Sequence, residues 1–288
     1  MKSLDLRAAL VSLLLLLAVL GTWHVATKPG GASTASAGLS AEQIEYARMM
    51  GKDVGDGAPA ASGGFPTLAQ MGATAWHHLS DPFYDNGPND KGIGIQLAHS
   101  LGRVALGFGL ACLFAIPLGF VIGMSPLLSR ALDPFIQVLK PISPLAWMPL
   151  ALYTIKDSSV SGIFVIFICS LWPMLLNTAF GVASVRRDWL NVARTLEVDP
   201  VRKAFQVILP AAAPTILTGM RISMGIAWLV IVAAEMLVGG TGIGYFVWNE
   251  WNNLSLPNVI FAILTIGLVG MALDWIFGRL QKGVTYVE

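Results

Sequence analysis

VALGFGLACLFAIPLGFVIGMSPLLS, residues Val104–Ser129, runs for 26 residues without a charged side chain, and Ser158–Val185 runs for 28. About 20 apolar residues in a helix rising 1.5 Å each cross the hydrocarbon core of a bilayer. Either stretch is therefore long enough to span. Working outward, four more segments pass: Ala8–Ala26, Pro134–Ile155 with only Lys140 inside it, Thr215–Val238 with Arg221 and Glu235, and Leu256–Phe277 with Asp274. The composition of the 288 residues agrees: 55% are apolar and 12% charged, about half the charge of an ordinary globular domain. The chain is expected to be an all-α integral membrane protein of six transmembrane helices.

Basic residues orient the spans, because Lys and Arg collect on the cytoplasmic side. With both termini cytoplasmic, the inner segments hold Lys2, Arg7, Arg130, Arg186, Arg187, Arg194, Arg202, Lys203, Arg279 and Lys282. The outer ones hold Lys28, Arg48, Lys52, Lys91 and Lys156. Residues 1–26 read as an N-terminal anchor helix, with a cleaved signal peptide as the alternative; the Ala35–Ala37 triplet lies far beyond the apolar core for a cleavage site. Residues 27–94 form a periplasmic segment. In it Ser40 with Gln43 and Thr67 with Gln70 are capping boxes that open two short amphipathic helices. Residues 95–288 are then a five-helix core.

Near-neutral charge, 18 basic against 17 acidic residues, offers no footprint for nucleic acid. Cys112 and Cys169 stand alone in apolar runs and read as buried helix residues. Trp76-His77-His78 is a poor metal site, since adjacent residues on a helix diverge by about 100°, so no metal and no bound cofactor are expected. The glycine-rich run Gly239–Gly244 follows a membrane helix rather than a strand, which argues for a tight external loop over a dinucleotide site. Tyr245, Phe246, Trp248 and Trp251 beyond it suit an interfacial belt or a surface receiving a partner.

The loop between spans four and five, residues 186–214, RRDWLNVARTLEVDPVRKAFQVILPAAAP, carries most of the functional signal. Asp188 suits a cap for one short helix with Leu190, Ala193 and Leu196 at helical spacing. Asp199-Pro200 is an N-cap and N1 pair for a second with Val201, Ala204, Phe205, Ile208 and Leu209 on one face, ended by Pro210 and Pro214. A helix pair that is apolar on one side and basic on the other suits docking on another protein; folding back onto its own bundle is the alternative. The chain contains no Walker A pattern and no catalytic constellation.

This loop resembles the EAA motif of ABC-importer permease subunits. There a Glu-Ala-Ala, a Gly four residues after the second Ala, and an Ile-x-Leu-Pro ten residues after the Gly form coupling helices seated in a cleft of the ATPase. Here Asn191-Val192-Ala193 holds the first element, Glu197 the glycine position, and Val207-Ile208-Leu209-Pro210 the last. The spacing is kept, and Asn191 and Glu197 depart from the pattern. Residues SLGRVALGFGLACLFAIPLGFVIGMS, PISPLAWMPLALY and RISMGIAWLVIVAAEMLVGGTGIGYFVWNEWNNL extend the likeness. They are similar to permease subunits of nitrate, nitrite or cyanate importers, with sulfonate and taurine permeases also similar.

The resemblance implies a type I ABC-importer permease fold in the bacterial inner membrane, a second permease copy, cytoplasmic ATPases that use ATP and Mg, and a periplasmic or lipid-anchored binding protein. The coupling residues it points to are Asn191, Val192, Ala193, Arg194, Glu197, Asp199, Pro200, Phe205, Leu209 and Pro210. Ionisable groups inside a span cost roughly 2.5 to 3.5 kcal/mol each on insertion scales. Arg103, Lys140 and Arg221 are accordingly candidates to line an anion path, with snorkelling to an interface as the alternative. Glu235 is expected to pair with a cation on another helix or to line a gate or dimer contact, and Asp274 to pair with Arg221 or Lys140. An ion-coupled secondary carrier and a purely structural subunit are the rival classes. No inverted repeat is visible to support the former.

Overall fold

A computed structural model describes residues 2–27, 65–87 and 90–284. The described residues are helical apart from turns and one isolated bridge, Asp85 to Lys91. They divide into two units, residues 1–80 with 254–261, and residues 81–253 with 262–288.

In the first unit, α1 (Lys2–Ala26) precedes α2 (Leu68–Ser80). The Trp23 Nε1–H donates to the Pro66 carbonyl at 2.8 Å, and the Trp23 ring lies 5.2 Å from Phe65. The capping box that opens α2 is reciprocal: the Thr67 N–H donates to Gln70 Oε1 at 2.9 Å and the Gln70 N–H to Thr67 Oγ1 at 3.3 Å. His78 is buried, stacks on Phe261 and places Nε2 3.1 Å from Asn258 Oδ1. The helix expected at Ser40 lies outside the described residues.

The second unit holds α3 (Ile93–Met124), α4 (Pro126–Leu139), α5 (Pro144–Ile155), α6 (Ser158–Ala183), α7 (Arg187–Thr195), α8 (Pro200–Lys203), a π-helical turn (Ala204–Ile208), α9 (Leu209–Val238), α10 (Ile243–Asn252) and most of α11 (Leu256–Val284). The central helix is α6, packed between α3 and α9. Small residues bring the backbones together, as is common between membrane helices. A Cβ added at Gly107 would meet Ile166 at 2.7 Å, and one at Gly119 would meet the Leu175 carbonyl at 2.7 Å. Ala111, Ala115, Ile166 and Met174 fill this seam and are fully buried. Cys112 and Cys169, expected to be buried, are half-buried.

Five described helices are long and apolar enough to span, or six if one bent pair counts as a span. That pair corrects the expectation for Pro134–Ile155. The chain there is two helices, α4 and α5, set at 90° to each other. Pro141 lacks the N–H that would continue α4, and Pro144 sits at the start of α5, where its missing donor costs nothing. Lys140 is the C-cap residue at this corner, exposed, rather than two turns inside a straight span.

The expected break at Pro210 and Pro214 is also corrected, because residues Pro200–Val238 are helical without interruption. The π-helical turn at Ala204–Ile208 immediately precedes Pro210. Widening the helix there lets the ladder shift register where proline removes a donor.

Candidate functional sites: a docking surface and two intramembrane ion pairs

α7 and α8 form a helical hairpin at the end of the bundle where α6 stops and α9 begins. Asp199 caps α8 through the Val201 N–H at 3.1 Å, as its Asp-Pro pairing predicts. Asp188 is not the cap of α7: Arg186 holds that position, and Asp188 lies in the first turn, 3.5 Å from the Arg186 guanidinium. A carboxylate there still favours the helix through its dipole.

The turn leaving α7 adopts the Schellman arrangement. The Val198 N–H donates to the Ala193 carbonyl and the Glu197 N–H to the Arg194 carbonyl, both at 3.0 Å. Glu197 consequently takes φ of +51°. That is the left-handed conformation glycine normally supplies, so the sharp turn survives without its glycine.

The second helix does not keep one apolar face as its periodicity suggests. The π-helical turn rotates Ile208 into a buried cluster with Val182, Val185, Ala212 and Ile216, against which Leu190 and Leu209 pack. Ala193 is buried as well. Val201 and Phe205 stay outward, 64% and 66% exposed, together with Val192 at 59%, Leu196 at 70% and Trp189 at 44%. Asn191, Arg194, Pro200 and Pro210 are exposed too. The hairpin is thus bolted to the bundle by one set of apolar residues and presents another to solvent or a partner. Trp189 was not singled out from the sequence, where a tryptophan next to arginines has no periodic partner to mark its face.

At the opposite end of α9, Glu235 is buried with its side chain 3% exposed, and Arg103 on α3 lies against it with Nη1 2.7 Å from Oε1. Ser100 Oγ donates to the carboxylate at 2.8 Å and the Gly244 N–H donates at 3.0 Å. The Arg103 Nη1 also donates to the Thr241 carbonyl at 2.7 Å, and its Nε to Ser159 Oγ at 3.0 Å. The Gly242 N–H donates to Gln96 Oε1 and the Ile243 N–H to Ser100 Oγ. A Cβ at Gly242 would overlap the Glu235 carboxylate, and one at Gly244 the Val232 carbonyl. These bonds all run within the chain, so Glu235 ties α3, α9 and the glycine loop together. Gln96 and Ser100 escaped the sequence reading, yet with Arg103 they recur at i, i+4 and i+7 along an apolar helix, which marks a polar stripe.

Nearer the middle of α9 and on the surface of the chain, Arg221 on α9 and Asp274 on α11 meet in two parallel bonds, Nε to Oδ1 at 2.6 Å and Nη2 to Oδ2 at 2.5 Å. Of the two partners considered for Asp274, the geometry selects Arg221.

Residues 115–286 match the family described as the binding-protein-dependent transport system inner membrane component. The chain belongs to this family. The permease is 44% identical over 223 residues to the nitrate import permease protein NrtB of Synechocystis sp., covering 77% of this chain and 81% of that one. It is 45% identical over 205 residues to the bicarbonate transport system permease protein CmpB of Synechocystis sp., covering 71% and 73%. Among solved structures, a chain of the MetNI methionine ABC transporter superposes with a TM-score of 0.61 at 12% identity, covering 67% of this permease and 96% of that chain. An amino acid ABC transporter gives 0.52 at 15% identity, covering 65% and 89%. The fold is that of type I ABC-importer permeases, and the protein is a multi-pass inner membrane component of an ABC importer. Its family works with an ATPase and a solute-binding protein, and is a transporter permease rather than an enzyme.

Proposed function

We propose that this permease forms the inner-membrane path for nitrate and that the α7–α8 hairpin transmits ATP-driven motion from a separate cytoplasmic ATPase. The likeness to NrtB over three-quarters of the chain carries the nitrate reading. CmpB is as similar, which makes bicarbonate the second reading. Both are small singly charged oxyanions. A small sulfonate was the alternative drawn from sequence, and neither relative favours it.

In this reading both termini are cytoplasmic, residues 1–26 anchor the chain and residues 27–94 lie in the periplasm. Two permease copies enclose the path. The outward side chains Trp189, Val192, Leu196, Val201 and Phe205 enter the ATPase cleft, while Asn191, Ala193, Arg194, Glu197, Asp199, Pro200, Leu209 and Pro210 shape and brace the hairpin. Closure of the ATPase dimer on ATP pushes this rigid hairpin, and α9, continuous with it through the π-helical turn, carries the displacement across the membrane. Arg221 steers the anion. Lys140 draws it toward the bend between α4 and α5, and Arg103 contributes positive potential at the outer mouth while held by Glu235. No cofactor is bound by the permease itself, and Mg-ATP is used by its partner.

The test is uptake of labelled nitrate and bicarbonate by proteoliposomes holding the permease, its ATPase and the binding protein. ATP-dependent nitrate uptake is expected. Uptake that persists without ATP and the ATPase would overturn the coupling, and bicarbonate uptake without nitrate uptake would replace the substrate.

A further inference from the structure

The Arg221–Asp274 pair stands at one end of a cleft of about 350 Å³ between α9 and α11. Met224, Trp228, Leu229, Val232 and Ile266 make its apolar walls. Trp228 is fixed in place, its Nε1–H donating to the Ile266 carbonyl at 3.0 Å, and Gly270 lies under its ring, where a Cβ would come within 3.2 Å. The guanidinium rests beside Gly278 of α11.

Arg221 lies about 18 Å along α9 from Leu209 and about 26 Å from Val238, at 1.5 Å per residue. The pair is therefore within the membrane, yet its side chains are 40% and 56% exposed on the surface of the chain. Ionised groups at that depth face protein or a water-filled cavity and avoid lipid. An α9–α11 face that carries such a pair suits a wet, protein-enclosed space rather than lipid.

A mostly apolar cleft with one convergent polar group is the usual form of a small-ligand site. Here the polar group is a guanidinium fork, whose two parallel N–H donors match a flat pair of oxygens. Asp274 supplies such a pair. Nitrate and bicarbonate are likewise planar and trigonal, with an O–X–O edge of the same kind. We propose that Asp274 is an internal counter-anion, occupying on Arg221 the place where a planar trigonal oxyanion binds during transport. This rests on the anion-import reading above and identifies the ligand edge and its competitor. When the anion arrives, the two donors of Arg221 pass to it and the Asp274 carboxylate swings to the open side of the cleft. The occupied site then holds one cation and two anions, so the hold is weak and release is fast, as a conducting site requires. The same competition explains how a positive group can sit in the path without trapping its cargo.

The experiment uses the assembled permease–ATPase complex in lipid nanodiscs, titrated calorimetrically with sodium nitrate at constant ionic strength. Asp274→Asn uncovers the fork and is expected to tighten nitrate binding about tenfold, because a site blocked most of the time has its apparent affinity lowered by the free fraction. Arg221→Lys keeps the charge and the partner but loses the fork, and is expected to weaken binding about tenfold. Co-purification with the ATPase reports folding, and where Asp274→Asn fails to assemble, Arg221→Lys decides. Unchanged or weaker binding by assembled Asp274→Asn, or unchanged binding by Arg221→Lys, overturns the proposal. In either case a wild-type complex that takes up nitrate or bicarbonate leaves the import reading standing. A wild-type complex that neither binds nor carries either anion overturns both.

Discussion

Truncating Glu235 to alanine exposes how much this end of the bundle depends on one carboxylate. The side chains of Glu235 and Arg103 are 3% and 14% exposed, and the carboxylate accepts from Arg103, Ser100 and the Gly244 N–H. Removing it leaves a part-buried guanidinium without its counter-charge, though still bonded to the Thr241 carbonyl and Ser159 Oγ, and losing one partner of a buried pair costs about 3 to 5 kcal/mol. An orphaned backbone N–H carries a penalty of about 1 to 3 kcal/mol, part of which is the same desolvation. We expect Glu235→Ala to destabilise by about 4 kcal/mol, which for a chain of this size lowers the unfolding midpoint by roughly 10 °C. Arg103→Ala is expected to cost about 3 kcal/mol, and the double variant little more than either single, a coupling of about 2 kcal/mol or more. Thermal unfolding of the purified complex, followed by size exclusion after heating, measures all three. Hydrogen exchange localises the effect: the amides of Gly242, Ile243 and Gly244 should lose protection while α7 keeps its own, because those amides donate to Gln96, Ser100 and Glu235. Additive single variants, with coupling below about 0.5 kcal/mol, would refute the claim that these groups act as one network.

Three further outcomes follow from the local geometry. Glu197→Gly removes the steric cost of a left-handed residue, about 1 kcal/mol, so it should raise protection of the α7 C-terminal amides in hydrogen exchange, and Glu197→Val should lower it. Phe205→Asp places a charge on a side chain that is 66% exposed and outside the buried cluster; the permease should fold normally and lose at least tenfold in ATPase co-purification. Gly244→Ala would drive its Cβ into the Val232 carbonyl and against the Glu235 Cβ, an overpacking costing about 1 to 3 kcal/mol, read as a lower thermal midpoint.

The membrane class, the long spans and the position of the hairpin were legible in the sequence because each rests on a local property. Uncharged length sets spanning capacity, Asp199-Pro200 announces a helix start, and Thr67 with Gln70 announces another. The bend between α4 and α5 was missed although Pro141 and Pro144 flank it, because continuous hydropathy over Pro134–Ile155 outweighed two residues of backbone chemistry. The split of the second hairpin helix was missed for the opposite reason. An apolar period of 3.6 assumes a regular α-helix, and five residues of π-helix rotate Ile208 to the core while Phe205 stays out.

What the sequence determined by itself was which residues carry charge in an apolar chain and how far apart they lie along it. Only the tertiary structure decided which of them meet. Arg103 and Glu235 are 132 residues apart, and Arg221 and Asp274 are 53 apart, distances over which no periodicity operates. Within the bundle, desolvation obliges Glu235 to find a cation on another helix; on the chain's surface at membrane depth, the low dielectric does the same for Arg221 and Asp274, and the packing of α3, α9 and α11 sets which partner is within reach.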